Sequence, residues 1–171
     1  DEESFTDAYG IFTVQPLERG FGTTIGNALR RVLLSSIEGA AIKALKIEGI
    51  QHEFSVVEGV VEDVTEIVLN LKEVNVRLHS DEDKVLRVGK KGPGALKAAD
   101  LQVDADLEIM NPDQHIASLD KDGTLEVEIT IGKGRGYVLA EENKVTEPPM
   151  GTILMDSAFS PIQKVHYEVD N

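Results

Sequence analysis

The sequence has no cysteine and no tryptophan, and aromatic residues make up only 5% of it. Without cysteine there is no disulfide, no thiolate nucleophile and no cysteine-ligated zinc. With so few aromatics, a core has to be built from Val, Ile, Leu and Ala, and a hydrophobic content of 41% is enough for one. Positive charge is also scarce. There are 17 Lys and Arg against 31 Asp and Glu, a net charge of −14. That balance argues against broad binding of a phosphate backbone, which needs clustered cations, and leaves room only for a local basic patch. It suits a chain that holds other proteins, and it favours solubility. No apolar run reaches the roughly 18 residues of a membrane span, and no signal peptide opens the chain. The absence of thiols is compatible with a cytoplasmic home. The chain starts without Met and close to a strand-like stretch, and it stops just after another, so segments are expected to be missing at both ends.

A length of 171 residues accommodates one large domain or two small ones. Periodicity then divides the chain. "GIFTVQPLE" (10–18) reads as a short strand closed by Pro16. "GFGTTIGNALRRVLLSS" (20–36) reads as a turn into a helix capped by Thr23 or Thr24 and stopped at Glu38–Gly39. Its stripe is Ile25, Ala28, Leu29, Val32 and Leu33 at helical spacing, an ordinary core face. "AIKALKIEGI" (41–50) is strand-like. "GVVEDVTEIVLNLKEV" (59–74) carries a second helical stripe, in spite of four valines that form helix poorly.

Beyond it the period changes to 2. "VNVRL" (74–78) and "KVLRV" (84–88) are expected to pair across the acidic turn "HSDED". "KKGPGAL" (90–96) reads as a loop, "LQVDADLEI" (101–109) and "TLEVEITI" (124–131) as half-buried antiparallel strands, and "GKGRGYV" (132–138) as a bend. Residues 152–161 are apolar and then turn, and "QKVHYEV" (163–169) alternates again, as a last strand that could return to the first. The fold class is therefore α+β, a helix-bearing start followed by a β-rich middle.

The glycine stretches raise the question of a nucleotide-binding enzyme. "GFGTTIGN" lacks the Lys-Ser/Thr ending of a P-loop, and "GFGTTIG" has its second interval one residue too long for a dinucleotide loop. "GKGRG" and "GKKGPG" also miss the template and serve as bends. His52, His79, His115 and His166 stand singly, without metal-ligand spacing. No nucleophile elbow is present. No catalytic, cofactor or metal residue is assigned, and an autonomous enzyme is not expected. On the first helix, Asn27, Arg30, Arg31 and Leu34 lie off the apolar stripe. They are either plain surface or a protein interface, where Arg is enriched and Leu fills pockets.

These residues carry a resemblance. "PLERGFGTTIGNALRRVLLSSIEGAA", "IEGIQHEFSVVEGVVEDVTEIVLNLKEV", "DLEIMNPDQHIASL", "GRGYV" and "DSAFSPIQKVHYEV" follow one another over almost the whole chain. Together they resemble the amino-terminal domain of the bacterial RNA polymerase alpha subunit family. The uninterrupted insertion, without metal-binding cysteines, is unlike the archaeal and eukaryotic relatives that pair as heterodimers. The resemblance implies a dimerisation lobe at residues 1–38 and 161–171, the latter a returning strand, and a β-rich insertion lobe at 39–160. The rest of the dimerisation lobe and a DNA-binding domain would lie outside this sequence, so no nucleic-acid contact is expected from it. The implied function is a non-catalytic cytoplasmic scaffold that dimerises and nucleates assembly of the beta and beta-prime subunits. The dimer seam would use Ile25, Ala28, Leu29, Val32 and Leu33. Arg31 and Leu34 would dock beta, Lys72 and Met155 would dock beta-prime, and Arg135 would face a large subunit. Glu141 and Glu142 correspond to a region that meets activators in some members.

Overall fold

In the central sheet of the chain, β1 (Glu38–Ile47) runs antiparallel to β7 (Thr124–Arg135), from Glu38 opposite Arg135 to Ile47 opposite Val127. This is a computed structural model, and it describes residues 4–143 and 145–170. The sheet order is β3-β7-β1-β9, with β3 (Lys84–Lys91) on one edge and the short β9 (Ile153–Leu154) on the other. Alternation explains the pairing. Leu125, Val127, Ile129 and Ile131 on β7 and Leu86 and Val88 on β3 turn to one core. The register shifts between Ile42 and Ala44, so β1 bulges at Lys43. There the Lys43 carbonyl accepts the Met155 N–H at 2.8 Å, and its ammonium reaches Asp83 at 2.7 Å.

The remaining elements enclose the core. Helix α2 (Val64–Lys72) contributes Val64, Ile67 and Leu71. Two-stranded ladders join β2 (Val76–Leu78) to β5 (Leu107–Ile109), β4 (Gly94–Lys97) to β6 (His115–Leu119), and β8 (Tyr137–Val138) to β10 (Ser157–Ala158). One continuous cluster of buried side chains runs from Ile42 to Met155. The α+β class holds.

Several expectations about elements are corrected. Residues 10–18 form no strand; the chain there is irregular up to α1 (Phe21–Ser35). Neither Thr23 nor Thr24 caps α1; its N-cap is Gly20, at φ 91°, a left-handed conformation that glycine adopts without strain. The helix ends at Ser35 because Glu38 and Gly39 already belong to the sheet. Helix α2 begins at Val64, later than its valine stripe suggests, because Asp63 and Glu66 close a capping box. Val60 instead forms an isolated bridge with Leu119. β2 and β3 do not pair with each other but with β5 and β7. Of "LQVDADLEI" only Leu107–Ile109 is strand, whereas β4 and β6 arise where no strand was expected. β7 runs straight through "GKGR" to Arg135, and the bend comes at Gly136, φ 63°.

The α1 stripe is not core within this chain. Leu29 and Val32 are 47% and 51% exposed, and no α1 residue is fully buried. What α1 does pack against is the segment 162–170, which has no ladder partner among the described residues. Gly22 and Gly26, one helical turn apart, leave room for Val169 and Tyr167, and a Cβ on Gly26 would overlap the Tyr167 ring.

Candidate assembly surface

The off-stripe face of α1 is open. Arg31 lines a shallow depression of about 450 Å3 with Thr23, Thr24, Asn27, Ala28 and Tyr167. Arg30 and Arg31 are exposed, and neither has an ion-pair partner among the described residues. Exposed Leu29 and Val32 adjoin them, whereas Ile25, Leu33 and Leu34 are half-buried. The face thus combines uncommitted guanidinium donors with apolar side chains still in contact with water, the composition of a protein interface. Arg135 is exposed at the end of β7, and the next residue, Gly136, lies against the last turn of α1: a Cβ there would sit 3.5 Å from the Ser35 carbonyl.

Lys72 and Met155 fare differently. Lys72 ends α2 and reaches Asp156 at 3.5 Å. Met155, expected at a docking surface, is 1% exposed and belongs to the core cluster. As the chain stands its side chain cannot touch a partner. Between β9 and β10 burial keeps alternating along the chain: Ile153, Met155 and Ser157 are buried, Leu154 is exposed and Asp156 half-buried.

Asp156 is the junction of this corner. One carboxylate oxygen accepts the Ala140 N–H at 2.8 Å, and the other accepts the Tyr137 hydroxyl at 3.0 Å and faces Lys72. The Ala140 amide above all, then the Tyr137 hydroxyl, hold its carboxyl below the ordinary aspartate value. The same bond raises the Tyr137 phenol, which remains a donor at neutral pH. Beneath, buried Asn143 donates to the Met155 carbonyl at 2.6 Å and to the Ser157 hydroxyl at 2.8 Å, and Ser157 donates to the Ile42 carbonyl at 2.7 Å. Glu141 and Glu142 lie in a 3-10 turn, Ala140–Glu142, beside this junction.

Sequence reasoning missed Asp156, Asn143 and a further cluster at Glu62. Glu62 accepts from His115 Nε2 at 2.7 Å, from the Ser118 N–H at 2.6 Å and from its hydroxyl at 3.1 Å. These partners are 53 and 56 positions away, and no local spacing announces them. Gly132 is buried in β7, where a Cβ would overlap Asp83, and Gly134 packs on the Phe159 ring. Among the described residues no group of three or more His, Cys, Asp or Glu could hold a metal ion, and no helix is long and apolar enough to cross a membrane.

The sequence has counterparts among known proteins. The RNA polymerase Rpb3/RpoA insert domain model matches residues 45–160, the stretch that holds most of the core. The DNA-directed RNA polymerase subunit alpha of Symbiobacterium thermophilum is 57% identical over 165 residues, 96% of this chain and 52% of that protein. The subunit of the same name from Alkaliphilus oremlandii is 54% identical over the same shares. That of Geobacter metallireducens is 52% identical over 171 residues, all of this chain and 50% of the relative. The chain therefore spans about half the length of the curated relatives it matches. It belongs to the RNA polymerase Rpb3/RpoA insert domain family, on the side of the bacterial alpha subunits.

Proposed function

We propose that this chain is the assembly portion of a bacterial RNA polymerase alpha subunit, a scaffold without an active site of its own. It pairs with a second copy and receives the beta and beta-prime subunits in the cytoplasm, without touching nucleic acid through these residues. The observation that carries the reading is α1. A helix with half of its apolar stripe in water, flanked by two arginines without ion-pair partners among the described residues, is unsatisfied as a monomer surface. In this reading Ile25, Ala28, Leu29, Val32 and Leu33 form the seam with the second copy. Arg31 and the half-buried Leu34 dock beta. Lys72 docks beta-prime, while Met155 supports that face from the core. Arg135, against the end of α1, adds to a large-subunit surface. The reading divides the chain into lobes at 1–38, 39–160 and 161–171, and the cluster from Ile42 to Met155, which falls inside the middle part, supports that division.

The test uses the full-length subunit, tagged and mixed with purified beta and beta-prime. Arg31→Ala should dimerise normally and lose capture of beta by roughly tenfold or more, as truncation of a desolvated arginine anchor does. Equal capture by parent and variant would move the docking site off Arg31. No capture by the parent would remove the scaffold reading.

A further inference from the structure

We infer that Asp156 is the positioning residue of the Lys72 docking face, holding the lysine ammonium in place for a partner. This rests on the docking role proposed above for Lys72. Three separate segments meet at one carboxylate. Oδ1 is occupied by the Ala140 N–H at 2.8 Å, which fixes the carboxylate to the 3-10 turn. Oδ2 takes the Tyr137 hydroxyl at 3.0 Å from β8 and the Lys72 ammonium at 3.5 Å from the end of α2. On either side, Met155 and Ser157 are 1% exposed, so the aspartate is flanked by two residues packed into the interior.

Lysine is the long, rotamer-rich partner here, and the aspartate is the rigid one. An ammonium already directed by a fixed carboxylate loses less freedom when a partner binds, which is how preorganisation raises affinity. Lysine has three donors, so the pair with Oδ2 leaves donors for a carboxylate or carbonyl oxygen of the partner. Tyr137 at 62% exposed and Leu154 at 37% give the same corner apolar surface. The partner chemistry that fits is a protein segment offering an acceptor group beside an apolar side chain. Under the scaffold reading that segment is on beta-prime. Met155 then matters because it anchors the link between β9 and β10 that carries Asp156.

The experiment is a double-mutant cycle in the full-length subunit, read as the dissociation constant for beta-prime, with melting temperature and capture of beta as controls. Lys72→Ala should weaken beta-prime binding. Asp156→Asn keeps an oxygen for the Ala140 amide, and should weaken it about fivefold with Lys72 present and not at all in the Lys72→Ala background. Tyr137→Phe removes only the hydroxyl on the shared oxygen, and its effect should vanish in the same background. It also serves where Asp156→Asn proves unstable. If Lys72→Ala weakens binding but both other variants act equally in either background, or not at all, the docking reading stands and the positioning role is overturned. Tighter binding by Asp156→Asn would also overturn it, since the aspartate would then be competing for the lysine. If Lys72→Ala changes nothing, the docking reading of this face fails and the inference with it.

Discussion

At the scale of single residues, the clearest energetic commitment outside the proposed docking faces is Glu62. Burial alone would raise its carboxyl, but the bonds from His115 and from the Ser118 amide and hydroxyl outweigh that and hold it below the ordinary glutamate value. A group with a lowered folded value stabilises the fold above its unfolded value and loses that contribution as the pH falls. Glu62→Ala leaves the Ser118 N–H without its acceptor and should cost on the order of 2 kcal/mol at pH 7, by the rule for charge-assisted bonds to half-buried groups. Urea unfolding of parent and variant should show that gap narrowing as the pH drops through the acid range below about 4.3. A gap unchanged at pH 3 would mean that the carboxylate charge contributes nothing. Asp156 and Glu62 illustrate why such residues stay hidden in a sequence. Each is an ordinary acid among 31, and its partners come from other elements.

At the scale of elements, what was legible followed the periodicity, and what was not followed local hydrogen bonding. The stripe of α1 and the alternation of β1, β3 and β7 show through, because each buries or aligns a run of side chains. "LQVDADLEI" alternates just as well, yet Asp104 accepts the Asp106 N–H at 2.9 Å and both aspartates take the Lys84 ammonium at 2.9 Å. Side-chain bonds of that kind offer the backbone an alternative to a ladder. In "EDVTE" the capping signal was present in the letters: Asp63 accepts the Glu66 N–H at 2.8 Å, and Glu66 accepts the Asp63 N–H at 3.0 Å. It outweighs the valines before it, which the sheet side recruits at Val60. Asp63→Ala should therefore destabilise the chain by about 1 kcal/mol, seen as a lowered urea midpoint at unchanged slope. No shift in midpoint would mean that the start of α2 is set by Val64 burial alone. Met155 belongs to this scale too. Reading a docking residue from a motif gives its position in the chain, but packing decides the face, and in the irregular link between β9 and β10 it buries Met155 and leaves Asp156 half-buried.

At the scale of the whole molecule, two tendencies oppose each other. The apolar stripe of α1 is left in water along Leu29 and Val32, which favours a second copy. The net charge of −14 on every copy opposes it. Repulsion between whole molecules acts over the Debye length, about 10 Å at 0.1 M salt and about 3 Å at 1 M, whereas apolar burial persists at high salt. Self-association of this chain should therefore strengthen as salt is added, the reverse of what a pair held by ion pairs would do. Sedimentation equilibrium at low and high salt would read it directly. Leu29→Glu places a charge in the middle of the stripe and should leave a folded monomer at both salts, melting where the parent melts when dilute enough to be monomeric, because α1 contributes nothing fully buried to the core of a single copy. A parent chain that stays monomeric at high salt would mean that the segment 162–170, packed on Gly22 and Gly26, is not enough to present α1 for pairing. A Leu29→Glu variant that still pairs would move the proposed seam to another face of the helix, away from Ile25, Ala28, Leu29, Val32 and Leu33.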